Sequence, residues 1–259
     1  MKNKAARTSG IFASNAIQYD QIVAAKVSRQ MTMRVLALVA AVGVSFSLQA
    51  TSDVSGFWLL ILPDSESEII FTVAGLRIQG EYDLLVDDPS LSCVPASAAR
   101  IWANPGSRIS IEQTEENILI NYELFDLRRV IPIGDESVIP ALPSTQNLAG
   151  TFFEQMGSSF AHYENDSLFI ESRNHTHGYI RTSRGIPQSV ETIAIEELRI
   201  EDDKLRITHT YIDETLYEQP LVLNYTFQRI GATEIETYNC TEADYDWFNQ
   251  LNAPTEEAL

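Results

Sequence analysis

Apolar and polar residues alternate through most of the chain after residue 50, and this alternation constrains the fold more than any other feature. The clearest runs are residues 193–200, 205–212 and 221–230. A period of two residues is typical of β-strands that bury one face. The sequence therefore predicts an all-β fold.

Short polar segments separate the apolar runs. Residues 115–117, 164–166 and 201–203 have the composition that tight hairpins require, so successive strands are expected to pair. The longer, proline-containing connections 87–105 and 134–150 are expected to cross the surface or an open end. The predicted strands are residues 54–62, 69–73, 77–85, 108–113, 117–124, 128–133, 160–163, 167–173, 193–200, 205–212 and 221–230.

The number of short strands fits a closed barrel or a related sandwich, and we favour the barrel. Gly56 and Trp58 lie in the first predicted strand, and Arg229 lies near the end of the last one. This pattern resembles that of lipocalin-like barrels, in which a Trp near the start packs under an Arg of the final strand. The resemblance implies an antiparallel up-and-down barrel with Trp58 next to Arg229. The alternative is an ordinary core tryptophan.

A longer resemblance runs through residues 54–240. Residues 163–172, Tyr-Glu-Asn-Asp-Ser-Leu-Phe-Ile-Glu-Ser, are similar to the W-E-G-D-x-L-V-V-E-T segment of a large group of exported bacterial all-β proteins of unassigned function. The resemblance implies export, a single β-domain and a role for both cysteines, and it implies no reaction. Other matching pieces follow in the same order: Asp88-Pro89, Cys93-Val94-Pro95, Tyr122-Glu123, Arg128-Arg129, residues 185–189 and Tyr238-Asn239-Cys240.

An apolar run at residues 35–44 follows Arg34 and precedes a small residue, Ala50. Counted on to residue 48, the stretch after Arg34 is about 14 residues long, which suits a secretory signal, whereas a membrane span needs about 20. We therefore predict a signal peptide that is cleaved after Ala50, and a periplasmic or secreted bacterial protein without a stable membrane span. The alternatives are an uncleaved anchor and a buried helix.

The chain divides into an N-terminal extension with signal peptide (1–50), a single antiparallel β-domain (51–240) and an acidic tail (241–259). The tail carries five acidic residues and no basic one. The true start stays open between Met1, Met31 and Met33, since each of the last two would give a compact signal.

The charge of the exported part argues against nucleic-acid binding. The whole chain has 18 basic and 36 acidic residues, and residues 1–50 hold six of the basic and one of the acidic ones. The rest therefore carries 12 basic and 35 acidic residues, a net charge of −23. Such a charge repels phosphate backbones and anionic lipid surfaces. The expected partner is a small molecule.

Cys93 and Cys240 both lie in the predicted exported part, so we expect them to form a disulfide. The alternative is two separate buried thiols. The best metal candidate is the His175-Thr176-His177 step, because a strand would put both imidazoles on one face. A metal site would need a third ligand, which the sequence does not identify. We therefore expect His175 and His177 to be exposed, and we expect no metal or cofactor.

Catalytic signatures such as G-x-S-x-G, the P-loop and H-E-x-x-H are missing from the sequence. The first residues to test for catalysis are Glu171, Arg128 and Glu123. A second interpretation is that carboxylates and guanidinium groups of Glu123, Asp126, Arg128 and Arg129 form a structural brace. The sequence therefore favours a non-enzymatic barrel that binds a small ligand, apolar ligands included, or that serves in the cell envelope. The alternatives are a hydrolase or metal-dependent enzyme with its groups in the barrel mouth, and a purely structural or partner-binding domain.

Overall fold

The computed structural model describes residues 53–243 of the chain, which contain twelve β-strands and three short α-helices. The strands are β1 (Gly56–Glu66), β2 (Arg108–Gln113), β3 (Asn117–Tyr122), β4 (Leu127–Pro132), β5 (Thr145–Asn147), β6 (Ser158–Glu164), β7 (Ser167–Arg173), β8 (Gly178–Arg181), β9 (Ile186–Gln188), β10 (Ile193–Glu201), β11 (Lys204–Ile212) and β12 (Leu221–Arg229). The helices are α1 (Val73–Glu81), α2 (Leu84–Asp87) and α3 (Ala98–Trp102). Single 3₁₀ turns occupy Pro89–Ser92, Leu124–Asp126, Glu136–Val138, Glu154–Met156 and Thr182–Arg184.

Ten strands form one antiparallel sheet in the order β5-β4-β3-β2-β1-β12-β11-β10-β7-β6, and β8 pairs separately with β9. The sheet curls until β4 meets β6 along a line that we call the seam. Only a parallel bridge between Ile133 and Ala161 and a few hydrogen bonds cross the seam, among them one from the Gly134 N–H to the Ala161 carbonyl at 2.8 Å. The predicted antiparallel all-β fold is confirmed, and the sheet is barrel-like without a continuous closing ladder.

The first and last strands in chain order, β1 and β12, are neighbours inside the sheet, and Trp58 lies opposite Arg229 in their register. Trp58 is fully buried, and the Arg229 guanidinium carbon lies 4.3 Å from its ring centroid. Arg229 also donates to the carbonyl of Ser55 at 2.7 Å. Gly56 makes this approach possible, because a Cβ there would collide with the guanidinium and its φ of +139° suits only glycine. This end of the barrel is closed as the lipocalin-like pattern implies.

Nine of the eleven predicted strands are present, with ends that shift by up to four residues. Residues 69–73 and 77–85 were predicted as strands, and this is wrong: α1 and α2 occupy most of residues 77–85, and residues 69–73 contribute only an isolated bridge from Phe71 to Tyr217 before α1 begins at Val73. The Thr72 hydroxyl caps α1 by accepting from the Gly75 N–H at 3.1 Å, and the Asp83 carboxylate caps α2 by accepting from the Leu85 N–H at 2.9 Å. Side-chain caps of this kind favour helix starts over strand continuation.

Helix α3 corrects the expectation that connection 87–105 only crosses the surface or an open end. It carries Trp102 into the barrel, where the indole is fully buried. The indole makes edge-to-face contacts with Tyr122 and Phe227, with ring centroids 5.3 Å apart in both pairs. Trp102 therefore fills part of the interior that an empty barrel would leave open.

Cys93, between α2 and α3, forms a disulfide with Cys240, which follows β12. The bond ties the segment that carries Trp102 to the end of the described chain. The signal run 35–44, Ala50 and most of the tail 241–259 lie outside the described residues, so the predicted cleavage site stays a prediction. Within residues 53–243, no helix has the length and apolar character needed to cross a membrane.

Replacing both cysteines by alanine is expected to lower the free energy of unfolding, by up to about 5 kcal/mol in the chain-entropy model for a separation of 147 residues. Urea unfolding of the oxidised protein with and without a reductant measures the loss. The double Cys→Ala variant serves as the control, since reductant should leave its stability unchanged. Equal stability of oxidised and reduced wild-type protein would contradict the expectation.

Candidate functional site

A buried ion pair lies in the middle of the barrel. Arg129 on β4 donates to Glu196 on β10 at 2.6 Å, and both side chains have an exposed fraction of 0%. Burial opposes the charge of each group, but their mutual attraction outweighs it: the pKa of the Glu196 carboxyl lies below its usual value, and the pKa of the Arg129 guanidinium lies above its own. Both groups are therefore charged inside the barrel.

Further donors and acceptors surround this pair. The second terminal nitrogen of Arg129 donates to Ser159 at 3.0 Å and to Ser172 at 2.8 Å, and these two hydroxyls lie 2.8 Å apart. Trp102 donates its indole N–H to the other oxygen of Glu196 at 2.8 Å. The Nε of Arg129 has no hydrogen-bond partner among the described residues. The network binds β4, β6, β7, β10 and α3 to one another.

His209 on β11 lies directly opposite Glu196 in the register of β10 and β11 and is fully buried. Its ring is parallel to that of Tyr211 and meets that of Tyr225 edge-on, with centroids 6.3 and 5.5 Å apart. Neither imidazole nitrogen has a hydrogen-bond partner within residues 53–243. Desolvation lowers the pKa of His209 to about 4, with Glu196 acting in the opposite direction. The ring is neutral near pH 7.

A cleft of about 210 Å³ opens beside Tyr225, and we call it the mouth. It is lined by Ser65, Glu66, Arg181, Leu223 and Tyr225. Arg181 on β8 donates to the Tyr225 hydroxyl at 2.9 Å and lies 3.9 Å from a Glu66 carboxylate oxygen. Leu223 and the Tyr225 ring also face His209 from the neighbouring strand. Leu223 and Tyr225 thus line the mouth on one side and cover the unpartnered imidazole of His209 on the other.

The predicted catalytic residues do not come together at this site. Glu171 lies on the outer face of β7, where Arg173 donates to it at 2.5 Å. Arg128 is exposed in a separate outer cleft of about 360 Å³. Glu123 accepts from the backbone N–H of Arg108 at 2.7 Å. Within residues 53–243, Glu123 and Arg128 form no ion pair with each other; of the predicted brace residues, Arg129 pairs with a carboxylate, that of Glu196.

The histidine step does not have the geometry that a metal pair requires. Asn174 has a φ of +59°, and the chain leaves the strand there. His175 is buried, with ring nitrogens 3.1 Å from the Gln155 carbonyl and 3.2 Å from the Ser172 carbonyl, whereas His177 is exposed. In residues 53–243, no three His, Cys, Asp or Glu side chains cluster closely enough to hold a metal ion.

Sequence reasoning named Arg129 as a brace residue but missed its partner Glu196 and His209, although the alternation contained a signal for all three. Arg129 stands between Leu127 and Ile131 at spacings of two, so the period that places those residues inside also places Arg129 inside. Glu196 occupies the same kind of position between Ala194 and Leu198, as does His209 between Ile207 and Tyr211. A polar residue at an inward position of an alternating run marks this site.

No protein-family model matches the chain, and no curated protein sequence matches it significantly. Among solved structures, zebrafish ileal bile acid-binding protein complexed with cholic acid is similar at a TM-score of 0.34 and 12% identity, over 68% of this chain and 98% of that one. A mutant of the fluorescent protein UnaG is similar at a TM-score of 0.33 and 14% identity, over 70% of this chain and 97% of that one. At these values the likeness says nothing about what this chain binds.

Replacing Arg129 by Met is expected to lower the free energy of unfolding by roughly 3–5 kcal/mol, because Glu196 keeps a buried charge without its partner. The double variant Arg129→Met/Glu196→Gln is expected to be more stable than Arg129→Met alone. Urea unfolding measures both. The exposed Arg199→Met is the control and should change stability by less than about 0.5 kcal/mol. Additive losses in the double variant would contradict the coupling.

Because of His209, the free energy of unfolding is expected to fall in acid. Its pKa is about 4 in the folded state and about 6.5 in an unfolded chain, so the unfolded state binds more protons between these values. As pH falls from 6.5 to 4, this group is expected to remove on the order of 3 kcal/mol. Glu196 opposes the shift, and Arg129 and Arg181 reinforce it.

Urea unfolding of wild type and His209→Phe at a series of pH values tests this expectation. The variant should gain stability relative to wild type as the pH falls, because it lacks the titrating group. The exposed His177→Phe is the matched control and should run parallel to wild type. A constant difference between His209→Phe and wild type would refute the assignment.

Proposed function

We propose that this chain is an exported protein that binds a small ligand at the mouth of its barrel, without catalysing a reaction. The observation that carries the proposal is the mouth itself, where the Arg181 guanidinium, the Glu66 carboxylate and the Tyr225 hydroxyl converge against Leu223. Behind it, Leu223 and Tyr225 cover His209, whose imidazole has no hydrogen-bond partner on either nitrogen within residues 53–243. The interior behind the mouth therefore holds an unsatisfied polar group, which costs about 1–3 kcal/mol.

The position of the mouth supports the same function. Trp102 and the ion pair of Arg129 with Glu196 fill the middle of the barrel, so a ligand is restricted to the end where β8 covers the interior. There the mouth offers a guanidinium, a carboxylate, a hydroxyl and the side chain of Leu223 within one cleft. A few convergent polar groups against an apolar wall are typical of small-molecule sites.

Export has two supports. The apolar run 35–44 has the length of a signal core, and the disulfide between Cys93 and Cys240 suits an oxidising compartment, since thiols stay reduced in the cytosol. A non-catalytic role is favoured because Glu171, Arg128 and Glu123 lie apart on the outside and in a turn.

Binding of two fluorescent probes with the same ring system tests the function: N-phenyl-1-naphthylamine, which is neutral, and 8-anilinonaphthalene-1-sulfonate, which carries one negative charge. At least one is expected to bind saturably at a 1:1 ratio, with a dissociation constant of about 10 μM or lower. Ser65→Trp, at the exposed rim of the mouth, should weaken this binding at least about tenfold by filling the cleft.

The matched control is Gln228→Trp, which adds the same side chain to an exposed position at the opposite end of the sheet. It should leave probe affinity unchanged. The proposal is overturned when neither probe binds saturably, or when Ser65→Trp binds both probes as wild type does.

A further inference from the structure

Two arginines share one carboxylate at the mouth. Arg184 forms an ion pair with Oε1 of Glu66, and Arg181 lies 3.9 Å from Oε2 of the same residue. One carboxylate balances one guanidinium, so the cluster keeps a positive charge. This stands out in a region that carries a net charge of −23 from residue 51 onward.

The Arg181 guanidinium has unused donor capacity. A guanidinium presents five N–H donors in a fixed fork. Among the described residues, the hydrogen bond that Arg181 makes is the one to the Tyr225 hydroxyl, at 2.9 Å. Its ion pair with Glu66 is longer than a hydrogen bond, and its side chain is only 19% exposed. Partial burial strengthens its attraction for an anion, because screening by water is reduced.

The charge of Arg181 also acts on the Tyr225 hydroxyl. Burial raises the pKa of Tyr225, and Arg181, which donates to its hydroxyl at 2.9 Å, acts to lower it. Glu66 acts in the opposite direction. The Tyr225 hydroxyl is thus a neutral donor within a positive environment.

We infer that the mouth selects ligands with a singly negative head group, a carboxylate or a sulfonate, which Arg181 and Tyr225 bind while Glu66 competes for the same guanidinium. This inference rests on the proposed function and adds the ligand class to it. Carboxylates and sulfonates both present two oxygens that can accept the parallel N–H bonds of a guanidinium fork. The Glu66 carboxylate belongs to the protein itself and is partly exposed, and the ligand's head group displaces it from Arg181.

The same two probes separate this inference from the function itself, because 8-anilinonaphthalene-1-sulfonate differs from N-phenyl-1-naphthylamine by its sulfonate. The sulfonate probe is expected to bind at least about tenfold more tightly to the wild-type protein. Arg181→Gln should remove that preference, and Arg181→Lys should keep part of it, since it retains the charge without the fork.

Glu66→Gln is expected to change the affinity for the sulfonate probe in the direction opposite to Arg181→Gln. It removes the competing carboxylate and should raise affinity for the sulfonate probe about threefold to tenfold, without changing affinity for the neutral one. The matched controls are Glu201→Gln and Arg199→Gln, which make the same charge changes at the far end of β10. They should alter neither affinity by more than about twofold.

The outcomes are distinguishable. Equal affinity for both probes, or equal effects of Glu66→Gln and Arg181→Gln, overturns the anion preference and leaves the proposed binding function standing. Loss of both probes with Ser65→Trp, together with opposite effects of the two charge variants on the sulfonate probe, supports both. A circular-dichroism spectrum and a melting temperature near those of wild type show that each variant is folded.

Discussion

The buried ion pair between Arg129 and Glu196 holds the barrel together where its backbone does not. The ladder of the sheet is interrupted at the seam between β4 and β6. Arg129 reaches across it to Ser159 and Ser172, and across the interior to Glu196. Two charges removed from water are tolerable only when each keeps strong partners. The arrangement of five elements is therefore tied to one guanidinium and its acceptors.

The two halves of the barrel interior differ in chemistry. At the end closed by Trp58 and Arg229, the inward side chains of β10, β11 and β12 are apolar, among them Leu198, Leu205 and Phe227. From the middle toward the other end, the same strands turn inward Glu196, His209 and Tyr225 among apolar residues such as Leu221. Apolar packing holds the closed end at no cost in desolvated polar groups, whereas the other half depends on how well its buried polar groups are paired.

The alternation of residues was sufficient to predict the antiparallel class and nine strands, and the resemblance to lipocalin-like barrels implied the contact between Trp58 and Arg229. Alternation failed for α1 and α2, where Thr72 and Asp83 cap helices instead of continuing strands. It also failed to identify the site, because Arg129 was grouped with Arg128 and Glu123, and its partner Glu196 lies 67 residues away in the chain. Arg128 lies on the surface, and Arg129, the next residue, lies in the core. In the sequence, they differ only in that Arg129 is spaced two residues from both Leu127 and Ile131.

The disulfide between Cys93 and Cys240 joins two positions that are 147 residues apart, with nearly all of the β-domain between them. Because a chain is synthesised from its N-terminus, Cys93 is made first and its partner only after β12. Helix α3, which carries Trp102, is thus untethered on its N-terminal side until the strands that enclose it have been made. The bond can form only in a chain that extends through Cys240, so oxidation of this pair reports a finished β-domain.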